Sequence, residues 1–344
     1  MKRIGVLTGG GDCPGLNAVL RAVVRRAIDH YYYRVMGIKK GWLGLIYGDL
    51  EELTLESVSG ILPRGGTILF TSRTNPYKIP DGEAKVFENI KKYQLDCIIA
   101  IGGEDTLGVA HKLFKKGVKV VGIPKTIDND LACTEYTFGF DTAVSTVTDA
   151  IDRLHSTAES HHRVMVVEVM GRHAGWIAAV AGIAGGADVI LIPEIPFEIG
   201  EVCDLLKRRQ AKGKQFSIVV VAEGCKPKDI DSYVTQDAKV DQFGHVRLGG
   251  IGNWVGETIE KCTGIETRVT ILGHIQRGGS PTAFDRVLAT RFGVAAVDLI
   301  AKDQYGLMVS LQANKIVPVT LEKAVAEPKT LDMELYEVAK VFFG

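Results

Sequence analysis

The sequence predicts an α/β protein with mostly parallel sheets, and three observations carry that expectation. Short apolar runs of strand length alternate with amphipathic runs of helical period along most of the chain. Several apolar runs end directly in glycine- or acid-rich turns, as strands do when their C-terminal ends carry ligand loops. Glycine is abundant, 39 residues against the ~24 that an average usage of ~7% gives. At 344 residues, and roughly 150 per domain, two such units are expected. The 41 basic and 41 acidic residues balance. That argues against a nucleic-acid or membrane partner and leaves anion binding to individually placed arginines. No signal-like segment opens the chain and no apolar stretch reaches ~18 residues, so a cytoplasmic protein is expected. Cys13, Cys97, Cys133, Cys203, Cys225 and Cys262 are scattered without C-x-x-C spacing. They read as mostly buried thiols in a reducing compartment, forming neither a metal site nor a disulfide frame.

Residues 3–8 form the first expected strand, followed by Gly9-Gly10-Gly11-Asp12 and a helix from about Leu16. Strand, glycine loop and helix N-terminus can hold a phosphate, because glycines let backbone N–H groups approach and the helix end adds partial positive charge. Arg21 and Arg25 share a helix face that reads as solvated. A second polar loop holds Arg64-Gly65-Gly66-Thr67 and Ser72-Arg73-Thr74, where Arg73 could fork onto phosphate oxygens. Strand 97–101 turns through Gly102-Gly103-Glu104-Asp105 into a helix to about Lys115. Acids there suit the helix dipole, and they equally suit a magnesium ion held beside phosphates.

The apolar run 119–123 reads as a buried parallel strand, and Lys125, Thr126, Asp128, Asn129 and Asp130 crowd the loop behind it. Alone, this loop could be a solvated turn. It should lie beside the Glu104 turn on one sheet edge. A second βα series follows: helix 142–156, strand 164–169, then Met170-Gly171-Arg172-His173-Ala174-Gly175 leading into an apolar helix. Strands 188–192 and 217–221 come next, the latter ending at Glu223. Residues 225–248 are polar, without period, and read as a surface insertion. Strand 268–272 precedes Gly273-His274-Ile275-Gln276-Arg277-Gly278-Gly279 and a helix to about Ile300, with Ser280 as its N-cap and Pro281 at N1. A hairpin over 307–319 and an amphipathic helix over 333–342 end the chain. Arg163, Glu223, Arg268, His274 and Arg277 are expected at strand ends like the earlier loops. So many arginines in a neutral chain imply a small ligand with more than one phosphate, and phosphoryl transfer is the chemistry they suit.

Four segments, 10–17, 124–130, 170–175 and 273–279, together resemble the signature segments of the 6-phosphofructokinases, over residues 3 to about 302. The resemblance implies two similar Rossmann-like αβα domains with the active site in the cleft between them. They would be 1–139 with 276–326, binding the phosphoryl donor, and 140–275 with 327–344, binding fructose 6-phosphate. It implies Asp128 as the base for the 1-hydroxyl of fructose 6-phosphate, and Thr126 and Asp130 ordering the moving phosphoryl group and its magnesium. Arg172 would stabilise transition-state charge, while Met170, Gly171, Glu223, His274 and Arg277 would bind the sugar phosphate. Arg163 and Arg268 would be donated across an interface, making the protein a homo-oligomer. Gly11, Arg73, Asp105 and Lys125 would face the donor, and Glu104 would be a magnesium ligand.

Glu104-Asp105 and Lys125 resemble the pyrophosphate-dependent branch, whereas the common ATP-dependent pattern carries Asp-Gly and Gly at those places. Pyrophosphate is therefore the expected donor, with ATP the alternative and a catalytically silent sugar-phosphate sensor the remote one. Leu55, Gly60 and His155 stand where regulated relatives carry charged groups, so regulation is expected to be weak despite Arg21, Arg25 and Asp188.

Overall fold

The computed structural model describes residues 1–228, 235–240, 243–244 and 246–343. The first half runs β1 (Arg3–Thr8), α1 (Leu16–Arg25), β2 (Arg34–Ile38), α2 (Trp42–Tyr47), β3 (Leu50–Leu53), α3 (Gly82–Lys92), β4 (Cys97–Gly102), α4 (Glu104–Lys115) and β5 (Val120–Pro124). It continues with α5 (Phe140–His161), β6 (Val164–Val169), α6 (Trp176–Ala184), β7 (Val189–Leu191), α7 (Ile199–Ala211) and β8 (Ser217–Ala222). Then come β9 (Thr235–Val240), β10 (Val246–Leu248), α8 (Ile251–Thr263), β11 (Thr267–Ile271), α9 (Ala283–Ala301), β12 (Leu307–Gln312), β13 (Lys315–Thr320), α10 (Leu321–Ala324) and α11 (Met333–Lys340).

Two sheets organise these elements. The seven-stranded sheet has the order β13-β12-β5-β4-β1-β2-β3, and the four-stranded one β11-β6-β8-β7. Pairing is parallel throughout the smaller sheet and antiparallel only at the outer strands β13 and β3 of the larger. Strands β4, β5, β6 and β8 are buried along their whole length, as their unbroken apolar runs require when helices cover both faces. Gly102 pairs with Pro124 across β4 and β5, so the Glu104 turn and the Asp128 loop open side by side on one sheet edge, as expected.

Four readings need correction. Cys203 and Cys262 form a disulfide between α7 and α8, helices packed side by side but 59 residues apart in sequence, a distance at which spacing is silent. Cys13, Cys97 and Cys225 are buried thiols as expected, and burial pushes the first two up to about 12. The N-cap of α9 is Thr282, whose Oγ1 accepts from Asp285 N at 3.3 Å, while Ser280 Oγ donates to the Pro63 carbonyl. Helix α5 extends beyond 142–156 at both ends. The 225–248 stretch carries the antiparallel pair β9 and β10, with residues 229–234, 241–242 and 245 outside those described.

Candidate active site

Behind β5 the chain closes a loop over residues 125–138. Its ends meet as a parallel bridge between Lys125 and Phe138. Asn129 wires it from within: Oδ1 accepts from Thr137 N at 3.1 Å and Nδ2 donates to the Glu135 carbonyl at 3.2 Å. Thr137 Oγ1 reaches the Thr126 carbonyl at 2.8 Å. With its backbone satisfied internally, a polar loop can be buried. Asp128 is 4% exposed, which excludes the solvated turn. Thr126 Oγ1 accepts from Asp128 N at 3.0 Å, fixing the carboxylate's direction. Asp128 Oδ2 lies 4.0 Å from Arg172 Nε, and Oδ1 is buried with no hydrogen-bond partner. A carboxylate oxygen in that position, with no donor spent on it, is placed to meet a proton.

One flank of this carboxylate is built to meet anions. Lys125 is buried and its Nζ donates to the Gly11 carbonyl, so it does not point to solvent. Burial depresses its pKa, and Arg277 and Arg172 add to that while Asp128 opposes it. Arg277, also buried, donates through Nη1 to the Asp12 carbonyl at 3.2 Å and holds its Nε without a partner. A Cβ at Gly11 would stand 2.7 Å from Arg277 Nη1, so glycine makes the close approach of loop and guanidinium possible. Arg73 is exposed on a strand of chain tied to the same glycines: Gly10 N donates to the Ser72 carbonyl at 3.1 Å and Thr71 Oγ1 to the Gly10 carbonyl at 2.6 Å. Glu104, exposed, and Asp105, half-buried, occupy the first turn of α4. Half-buried Asp130 is pushed up to about 7 by burial and then by the charges of Asp128 and Glu104, with Arg172 opposing. Asp130 thus feels the negative charge of both neighbours, which a hard cation sharing phosphate oxygens would relieve.

The opposite flank comes from the smaller sheet. At the end of β6, Met170 N donates to Gln276 Oε1 at 3.2 Å and Arg172 N to Glu223 Oε1 at 3.2 Å. Gly171 turns at φ 144°, where a Cβ would lie 2.5 Å from the Ala174 carbonyl oxygen; only glycine fits. Glu223, at the end of β8, is pushed up to about 7 by burial and by Asp128. His274 is exposed on the 3-10 turn Gly273–Arg277.

Arg163 and Arg268 do not join this group. Arg163 precedes β6 and Arg268 is the second residue of β11, at the strands' N-terminal ends, whereas Met170 follows the C-terminal end of β6. Six residues of strand at ~3.3 Å each put the two sets roughly 20 Å apart. The expectation of similar strand ends is therefore corrected for this pair. The two arginines share one carboxylate: Arg163 Nη2 lies 2.8 Å from Glu266 Oε1, and Arg268 Nη2 contacts the same oxygen. Arg163 Nε is buried without a partner.

Sequence reading passed over three residues that brace the site. Glu168 caps α8, accepting from Gly250 N and from Gly252 N at 2.7 Å; a lone acid inside an apolar strand was the available signal. Asp285 accepts from Thr142 N at 2.8 Å and Thr142 Oγ1 at 2.6 Å, locking α9 to the start of α5. Lys329 reaches the Asp128 loop from the C-terminal segment, and nothing local marks it.

A family model described as Phosphofructokinase matches residues 3–300, the span that holds every one of the predicted site residues. The chain belongs to the phosphofructokinase family. It is 57% identical over 343 residues to the pyrophosphate–fructose 6-phosphate 1-phosphotransferase of Amycolatopsis mediterranei (strain S699), covering 99% of this chain and 100% of that one. It is 51% identical over 343 residues to an ATP-dependent 6-phosphofructokinase of Mycobacterium leprae (strain TN), again covering 99% and 100%. Among solved structures, phosphofructokinase from Saccharomyces cerevisiae superposes with a TM-score of 0.81 at 32% identity, covering 99% of this chain and 47% of that one. This phosphofructokinase-family chain thus spans about half the length of the yeast chain. No helix among the described residues is long and apolar enough to cross a membrane.

Proposed function

We propose that this chain transfers a phosphoryl group from pyrophosphate to the 1-hydroxyl of fructose 6-phosphate, giving fructose 1,6-bisphosphate and phosphate, in a reversible, magnesium-dependent reaction. The observation that carries the proposal is Asp128: a buried carboxylate with one unpartnered oxygen, 4.0 Å from Arg172, at the meeting of two strand-end loop sets. Asp128 takes the hydroxyl proton as the oxygen attacks phosphorus, and returns it in the reverse direction. Arg172 neutralises the charge that builds on the transferring group. Thr126 holds the loop and orders that group together with Asp130. Met170, Gly171, Glu223, His274 and Arg277 bind the sugar phosphate; Glu223, protonated near neutrality, can donate to a sugar hydroxyl as well as accept.

Pyrophosphate is favoured as donor by Lys125, which keeps its ammonium inside the site beside Gly11, and by the 57%-identical relatives, which are pyrophosphate–fructose 6-phosphate 1-phosphotransferases. Gly11, Arg73 and Asp105 complete the donor side. Magnesium, when bound through Glu104 with Asp130 nearby, supplies charge neutralisation for the phosphates. ATP as donor is the second reading, favoured by the 51%-identical relative named for it. A silent sensor fits poorly with a buried base kept free to accept a proton.

The chain's two sheets support the division into 1–139 with 276–326 and 140–275 with 327–344, since β12 and β13 return to the larger sheet and α11 packs on α6 of the smaller. Arg163 and Arg268, remote from their own site, are proposed to complete that of a second copy, and the protein to be a cytoplasmic homo-oligomer. Phosphorus NMR tests the reaction directly: pyrophosphate and fructose 6-phosphate should give orthophosphate and a sugar bisphosphate, and the bisphosphate with orthophosphate should give pyrophosphate. Failure of either direction refutes the proposal.

A further inference from the structure

Lys329 lies in extended chain between α10 and α11, yet each of its polar groups reaches the catalytic loop or α6. Its backbone N donates to the Asp130 carbonyl at 2.7 Å. Its Nζ donates to the carbonyls of Thr134 and Glu135 at 2.8 and 2.9 Å. Its own carbonyl accepts from Trp176 Nε1 at 3.4 Å, and its ammonium sits 5.0 Å from the centre of that indole ring. Two residues on, Leu331 N donates at 2.8 Å to Glu194, the carboxylate that also caps α6 by accepting from Gly175 N at 2.9 Å. The same short segment therefore touches the loop that presents Asp128 and the helix that follows the Met170–Arg172 turn. Those are the two groups whose 4.0 Å separation the reaction uses.

We propose that Lys329 is a positioning residue: it clamps the 125–138 loop to α6 and so sets Asp128 and Asp130 against Arg172. The inference rests on the reading of that loop as the catalytic one. A lysine is suited to the place because an ammonium offers three donors and no acceptor, enough for two carbonyls and an aromatic face at once. Holding it there has a cost. Burial pushes Lys329 down to about 8, with the charges of Asp130 and Glu135 opposing the shift. The loop has other fastenings, since Leu311 N donates to Thr134 Oγ1 at 3.0 Å and Ala313 N to Glu135 Oε1 at 2.7 Å. These tie it to the β12–β13 hairpin of its own sheet. The Lys329 ammonium, held between the Thr134 and Glu135 carbonyls and the Trp176 ring, ties it across to the smaller sheet's helix, so its loss should displace the carboxylates relative to Arg172 without unfolding the loop.

The test compares wild type, Lys329→Met and Lys329→Arg in steady-state assays with pyrophosphate and with ATP, and in amide hydrogen exchange of the unliganded chain. A displacement of about 1 Å lowers kcat by about 10–100-fold in Lys329→Met, with KM for fructose 6-phosphate within about threefold. Lys329→Arg, which keeps a charged donor over Trp176, should recover most of the loss. Exchange of residues 129–136 should quicken in Lys329→Met and not in Lys329→Arg. If Lys329→Met does not fold, Lys329→Gln carries the same expectations. A kcat within twofold of wild type, a loss that arginine does not relieve, or unchanged exchange overturns the clamp. Wild type that uses only ATP would count against the proposed donor instead, and the clamp is then read from the ATP rates. A wild type silent with both donors leaves the exchange comparison to decide the clamp.

Discussion

Replacing Asp128 by asparagine keeps its volume and its place above Thr126 while removing the proton acceptor. The ground state should lose little. Asp128 Oδ2 and Arg172 Nε are 4.0 Å apart, an attraction of at most ~4 kcal/mol at an effective dielectric of ~20. Removing it takes a competing negative charge away from the guanidinium, so affinity for the two anionic substrates should hold or rise. The transition state loses its base, which costs ~10²–10⁴ in rate, or about 3–5 kcal/mol. The expected pattern is a kcat lower by that factor with KM for fructose 6-phosphate at or below the wild-type value. It is measured by coupling fructose 1,6-bisphosphate formation to NADH oxidation, with the dissociation constant checked by calorimetry. A kcat within threefold of wild type would mean that Asp128 is not the base. A large rise in KM at constant kcat would make it a binding group.

Other consequences are equally direct. Mixing inactive Arg268→Ala chains with inactive Asp128→Asn chains should restore partial activity, because some sites then hold both intact residues; verified hetero-oligomers without recovery would contradict a shared site. Glu223 keeps, in the folded chain, a proton that the unfolded chain loses above about 4.5, so its stabilising effect is full below that pH and fades as pH rises towards about 7. The melting temperature of unliganded protein should therefore fall more steeply between pH 5 and 7 in wild type than in Glu223→Gln, and parallel curves would show that the carboxyl is not perturbed. Fructose 6-phosphate saturation should be hyperbolic and nearly unmoved by ADP or phosphoenolpyruvate. Asp188 is already engaged by Arg209 at 2.6 Å and His155 Nε2 meets the Gly185 carbonyl at 2.8 Å, and a large shift in half-saturation would overturn this.

What the sequence made legible follows from how local each signal is. Buried parallel strands announce themselves as apolar runs, and β1 and β6 begin and end where the runs do. Loops at strand ends follow from that, which is why Asp128, Arg172 and Glu223 were identified and do converge. Direction within a strand is harder: Arg163 and Arg268 border the same strands but at their other ends, and only the drawn sheet separates them. Residues 34–53 are hard to read from sequence because β2 is only five residues long and β3, four residues at the sheet edge, is half-exposed, with too little apolar alternation to stand out. Contacts remote in sequence left no trace at all, as with Cys203 and Cys262, or Lys329 and its partners in the 130–135 stretch. Thr282 and not Ser280 is the helix cap because α9 starts at Ala283, and the Thr282 hydroxyl also donates to Asp141 at 2.6 Å.

The choice of donor is the central claim, and Asp105 and Lys125 are the residues on which it turns. Two like charges about 4 Å apart at a dielectric of ~20 repel by roughly 4 kcal/mol, nearly three decades in affinity, if a nucleotide's α-phosphate must pass Asp105. Asp105→Gly with Lys125→Gly should accordingly lose pyrophosphate activity and gain some with ATP. The most direct measurement needs no variant: initial rates of purified wild-type protein with saturating fructose 6-phosphate and magnesium, pyrophosphate and ATP offered separately at equal concentration. Turnover with pyrophosphate and little with ATP is the predicted result; a faster rate with ATP would contradict the account.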